Sequence, residues 1–85
     1  MSLIDIFRKN VKYYRFMQNY SQEKLGEKSG LSIHYISDIE NGKYSPSIPT
    51  IENIAKALKI DPYLLFTHNP KANKLESRVD IHRKK

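Results

Sequence analysis

A chain of 85 residues without cysteine is sized for one domain and excludes a disulfide framework or a thiolate metal site. Its formal net charge of +6 favours a polyanionic partner, yet residues 67–85 carry six bases against two acids and leave only +2 for residues 1–66. No apolar run approaches the roughly 20 residues of a membrane span, and the opening MSLIDIFRKN lacks the basic-then-apolar layout of a secretory leader, so a cytoplasmic protein with no membrane partner is expected.

The first predicted helix runs Ile4–Met17. Ile4, Phe7, Val11 and Tyr14 fall on one apolar stripe. Arg8, Lys9 and Lys12 lie off it, as a solvated face or as phosphate contacts. Arg15 sits among the apolar positions near the helix end. Ser21 is placed to cap the next helix with its hydroxyl.

That second helix, Gln22–Ser29, is polar apart from Leu25, and Glu23, Lys24, Glu27 and Lys28 read as a solvated face. Gly30-Leu31-Ser32 then pinches the chain. Gly30 can adopt a positive φ at no steric cost, and Ser32 is a second good cap. From Ser32 to Asn41 a third helix puts Ile36 and Ile39 on one face. Two helices joined by a short glycine-containing turn form a helix-turn-helix. Leu25, Leu31, Ile36 and Ile39 are expected to converge, with Gly26 where the second helix of the pair passes closest. Ile33 falls off that face.

Gly42 ends the third helix, and a loop carrying Lys43, Tyr44 and Ser45 leads to Ser47, which caps a fourth. Ile51, Ile54, Ala55 and Leu58 give it a core-facing stripe. Asp61-Pro62 restarts the chain as an N-cap followed by proline, predicting a short fifth helix over Tyr63–Phe66. Asn69-Pro70 reads as a helix stop. Beyond it, Leu75 and Val79 permit one short helix, and a disordered basic arm is the other reading.

The residues Ser21-Gln22-x-x-Leu25, Gly30-Leu31-Ser32, Tyr35-Ile36-Ser37-x-Ile39-Glu40 and Asn41-Gly42 resemble the phage-repressor-like (Xre-type, lambda-repressor-like) helix-turn-helix regulators. The resemblance covers about Val11 to Phe66. It departs at two positions: Gly26 stands where the family usually has Ala, at up to about 1 kcal/mol of helix propensity, and Ser29 stands where an apolar residue is usual. Both predict a slightly loose first motif helix.

The resemblance implies an all-α, compact five-helix DNA-binding domain over residues 1–66, with residues 67–85 as a basic tail. It implies a buried ion pair between Arg15 and Glu40, and DNA phosphate contacts from Gln22, Asn41 and Lys43. Tyr35 lies beside them, either against phosphate or sugar or packed inward. Residues at the start of a major-groove helix reach base edges; here those are Ser32, Ile33 and His34, with Asp38 one turn on. The serine hydroxyl can contact a base or phosphate, Ile33 suits a thymine methyl, His34 can donate to a purine acceptor, and Asp38 can accept from a cytosine amine. In relatives the chain end supplies a dimer contact, for which Ile60, Tyr63, Leu64 and Phe66 offer apolar surface; alternatively all four close the monomer core. A core this small rarely supplies more than about 3–5 kcal/mol alone, which also favours a homodimer.

His34, His68 and His82 are too far apart in sequence, and too lacking in partners, for a metal site. No Walker loop, HExxH or nucleophile elbow appears, so neither catalysis nor a cofactor is expected. The expectation is a sequence-specific regulator of transcription that binds double-stranded DNA as a dimer on a partly palindromic operator. An antitoxin or a restriction-modification controller would use the same domain. From another class, a protein-interaction adaptor without DNA binding fits the exposed Asp38 and the nearly balanced charge of residues 1–66.

Overall fold

Serine starts each of the first four helices. In the computed structural model, which describes residues 2–76, the elements are α1 (Leu3–Met17), α2 (Gln22–Ser29), α3 (Ile33–Glu40), α4 (Ile48–Leu58), a 3₁₀ helix (Pro62–Phe66) and α5 (Pro70–Glu76). The described residues contain no strand. The Oγ atoms of Ser2, Ser21, Ser32 and Ser47 accept from the backbone N–H groups of Asp5, Lys24, Tyr35 and Thr50 at 3.2, 3.0, 3.1 and 3.3 Å. Each satisfies one of the donors that a helix start leaves without a partner.

The four helices also stop by one device. Asn19, Gly30, Gly42 and Lys59 have φ of 61°, 77°, 75° and 62°, and the residue after each bonds back to the carbonyl five positions earlier. Those bonds are Tyr20 to Arg15, Leu31 to Gly26, Lys43 to Asp38 and Ile60 to Ala55, at 2.9–3.1 Å. Such left-handed stops use carbonyls that the helix cannot pair internally, and they reverse the chain within a few residues.

The core is built on α1. Phe7 and Val11 meet Leu25, Ile36, Ile39, Ile54, Leu58 and Leu65, all fully enclosed, and Phe7 stacks on Phe66 with ring centroids 5.2 Å apart. The polar residues of α1 hold the ends of its neighbours. Asn10 Nδ2 donates to the carbonyls of Leu64, Leu65 and Thr67 at 3.2, 3.0 and 2.9 Å. Gln18 Nε2 donates to Leu58 O, closing α4, at 2.9 Å. Arg8 Nη1 lies 3.5 Å from Glu40 O at the end of α3, and its Nε pairs with Asp5. Arg8 therefore serves a helix end, where its positive charge complements the helix dipole, and does not belong to a solvated face.

Several expectations need correcting. Helix α1 begins one residue early, at Leu3, because Ser2 caps it. Leu31 does pack against the core that Leu25, Ile36 and Ile39 form, though it stays partly exposed. Gly26 is crowded by the turn and not by α3: a Cβ there would stand 2.5 Å from Leu31 O. Ser29, where an apolar residue is usual, is buried and satisfies its hydroxyl by donating to Leu25 O at 2.7 Å. Asp61 precedes the 3₁₀ helix without a side-chain capping bond. Asn69-Pro70 starts a helix in place of stopping one: Asn69 Oδ1 accepts from Lys71 N–H at 3.0 Å, and proline is tolerated in a first turn. Helix α5 packs on α1, with Ala72 2% exposed and Lys9 Nζ donating to Asn73 Oδ1 at 3.3 Å. Val79, His82 and the rest of the predicted tail lie outside the described residues.

Candidate nucleic-acid interface

Burying Ile36 and Ile39 fixes how α3 is turned. Ile36 and Ile39 face the core, and the opposite side at the start of the helix is left to solvent. Ser32, Ile33 and His34 are exposed there, Ile33 by 44%. Leu3 and Ile48, the first residues of α1 and α4, are exposed in the same way, so what sets Ile33 apart is its place in the helix-turn-helix beside Ser32 and His34. The Ser32 Oγ accepts from Tyr35 N–H, which leaves its own O–H free to donate outward. Asp38, one turn on, is part-exposed, and Lys43 Nζ stands 4.0 Å from its Oδ1. The backbone adds to this link, because Lys43 N–H donates to Asp38 O at 2.9 Å. One residue read as base-contacting and one read as phosphate-contacting are thus neighbours in an exposed pair, and such pairs are weak.

Tyr35 is part-buried against the core, with its ring 5.2 Å from that of Tyr44. Tyr44 is 48% exposed and extends the surface beyond α3 into the loop. Sequence reasoning gave it no role, although an aromatic residue between Lys43 and a proline-containing loop was a signal. Asn41 is exposed at the end of α3.

Gln22 is part-buried at the first position of α2, and its Nε2 donates to Glu40 Oε1 at 3.1 Å. The same carboxylate takes two bonds from Arg15, at 2.7 Å from Nε and 3.0 Å from Nη2, while Arg15 Nη1 donates to Tyr20 O at 3.0 Å. Both charged side chains are almost fully enclosed, at 4% and 5% exposure. This buried cluster joins α1, the α1–α2 connection, the start of α2 and the end of α3.

The residues named for a dimer contact lie elsewhere, at the 3₁₀ helix packed on α1 and α4. Ile60, Leu64 and Phe66 are part-buried, whereas Tyr63 is 66% exposed. Among the described residues no group of three His, Cys, Asp or Glu is arranged to hold a metal, and no helix is long and apolar enough to cross a membrane.

Comparison with known proteins gives a consistent result. A helix-turn-helix family model matches residues 11–65. An uncharacterized HTH-type transcriptional regulator of Methanocaldococcus jannaschii is 39% identical over 61 residues, covering 69% of this chain and 92% of that protein. Control protein C.BamHI of Bacillus amyloliquefaciens is 43% identical over 58 residues, covering 67% and 72% respectively. Among solved structures, the restriction-modification controller protein C.AhdI from Aeromonas hydrophila matches with a TM-score of 0.72 and 33% identity, over 74% of this chain and 96% of that one.

Proposed function

The chain belongs to the helix-turn-helix family of phage-repressor-like (Xre-type) transcriptional regulators, which bind DNA and are not enzymes, and on that premise we propose how it does so. The N-terminal end of α3 enters the major groove of double-stranded DNA, where Ser32, Ile33, His34 and Asp38 read base edges. Gln22, Tyr35, Asn41 and Lys43 contact phosphates and set the register. The observation that carries this reading is that Ser32, Ile33 and His34 stand exposed together at the start of the second helix of the helix-turn-helix, whose other face is locked by Ile36 and Ile39. The DNA-binding domain is residues 1–66, with α5 packed on its first helix. Residues 67–85, with six bases against two acids, add attraction that does not depend on sequence.

Two copies act together on an operator whose half-sites lie about 34 Å apart. The exposed ring of Tyr63 supports a homodimer contact in which Ile60, Leu64 and Phe66 contribute the apolar surface around it. The protein works in the cytoplasm by occupying or exposing a promoter. Its likeness to C.AhdI, a restriction-modification controller protein, supports the narrower reading that it controls such a gene set.

Selecting preferred duplexes from a random pool and measuring the footprint tests the proposal. A twofold-symmetric site is expected; the absence of any salt-sensitive duplex binding would instead indicate an adaptor. Replacing Lys43 with Ala is expected to weaken binding to selected and random duplexes alike. It should also flatten the dependence of log affinity on log salt by about one unit of slope, as titrations at several salt concentrations will read. An unchanged slope removes Lys43 from the phosphate contacts.

A further inference from the structure

The buried Arg15–Glu40 pair does more than stabilise the fold: we propose that Glu40 is a positioning residue for DNA binding, acting through Gln22. The inference rests on the reading that Gln22 meets a phosphate, and it adds what makes that contact effective.

A glutamine side chain offers two N–H donors on one end and an acceptor oxygen on the other. A free glutamine presents either end to an approaching phosphate, and only one end binds. Here Nε2 lies 3.1 Å from Glu40 Oε1. An ionised carboxylate only accepts, so it holds the amide with its nitrogen inward and cannot hold it reversed, oxygen against oxygen. One N–H is taken by Glu40. The second diverges from it by the trigonal geometry of the nitrogen and remains available for an outside acceptor.

Arg15 completes the device. Its two bonds to the Glu40 carboxylate, at 2.7 and 3.0 Å, balance the negative charge that would otherwise repel a phosphate gathered at Gln22. Because Glu40 is the last residue of α3 and Gln22 the first of α2, the phosphate contact and the base-reading helix are linked by one hydrogen bond. Ordering of the glutamine is completed on folding and not deferred to binding, which is how preorganisation raises affinity.

A thermodynamic cycle on the full chain separates positioning from mere stabilisation. The Arg15→Met/Glu40→Leu double replacement removes the pair while keeping similar volume, a change that folded proteins tolerate. The probe is the duplex selected from the random pool. In the parent, Gln22→Ala is expected to weaken binding at least about tenfold, the lower end of the range for a hydrogen bond to a charged group. In the Met/Leu background the same change is expected to weaken binding less than about twofold. Equal penalties in both backgrounds would overturn the proposal and leave Glu40 with a structural role alone. No penalty in the parent would show instead that Gln22 does not meet a phosphate, so the underlying reading itself would fail. If the double replacement does not fold, nuclear magnetic resonance of the parent decides. One Gln22 side-chain proton should resist solvent exchange without DNA, and the other should shift when the duplex is added. Two protons that exchange alike would overturn the proposal.

Discussion

Replacing Glu40 with Ala is expected to leave most of the protein unfolded at room temperature. The substitution strands the Arg15 guanidinium in a site where it is 4% exposed, with two of its bonds gone and, among the described residues, Tyr20 O left as its acceptor. Removing one partner of such a pair typically destabilises by about 3–5 kcal/mol, because the remaining charge stays buried without compensation. A core of this size supplies about the same amount. The loss is therefore comparable with the whole stability and not a small decrement. Urea denaturation followed by circular dichroism checks it, and a loss below about 1 kcal/mol would mean that the cluster is open to water. The Arg15→Met/Glu40→Leu protein should be more stable than Glu40→Ala despite carrying one more change. That order of stabilities separates the penalty of a stranded charge from the value of the pair itself.

A second large effect is expected from a replacement that scarcely changes shape. Asn10 is 1% exposed, and its Nδ2 faces three carbonyls, those of Leu64, Leu65 and Thr67. Asn10→Asp keeps the side-chain outline and exchanges the donor for an acceptor. The carboxylate then points a negative charge at three carbonyl oxygens. Together with burial, this is expected to destabilise by about 3–5 kcal/mol, the range for an uncompensated buried charge. The sign of the pH dependence follows. The site raises the folded-state pKa of the introduced carboxyl above the unfolded value of about 4. The penalty is therefore smallest below about pH 4, where the group is protonated in both states, and grows as pH rises from there to the folded-state value. Stability of parent and variant measured at acidic and neutral pH should diverge towards neutrality. A constant difference would contradict the assignment of three carbonyls to one amide.

What could be read from the sequence was local. A serine followed by a helical pattern marks a cap wherever it occurs, and Ser21, Ser32 and Ser47 were legible as such. The interval between Ile36 and Ile39 fixed the buried side of α3, and hence which residues are turned outward. The interactions that join the elements were hidden, because the partner lies far along the chain. Asn10 bonds to residues 54, 55 and 57 positions away, and Gln18 to one 40 positions away. One signal was present: Asn10 lies beside Phe7 and Val11 on the face that α1 buries, and an amide there requires partners. The Gln22–Glu40 bond likewise depends on how α2 crosses α3, which no spacing states. Asn69-Pro70 shows the remaining difficulty. The same dipeptide ends one helix or begins another, and only the packing of Ala72 against α1 decides which.

The outward-turned start of α3 can be tested through His34. The parent and the His34→Ala protein should each be titrated against the selected duplex and against every single base-pair change in it. The replacement is expected to weaken binding to the selected duplex by about 1–3 kcal/mol and to erase discrimination at one base pair per half-site, leaving the other positions as they were. Identical profiles for the two proteins would show that this end of the helix does not read the groove.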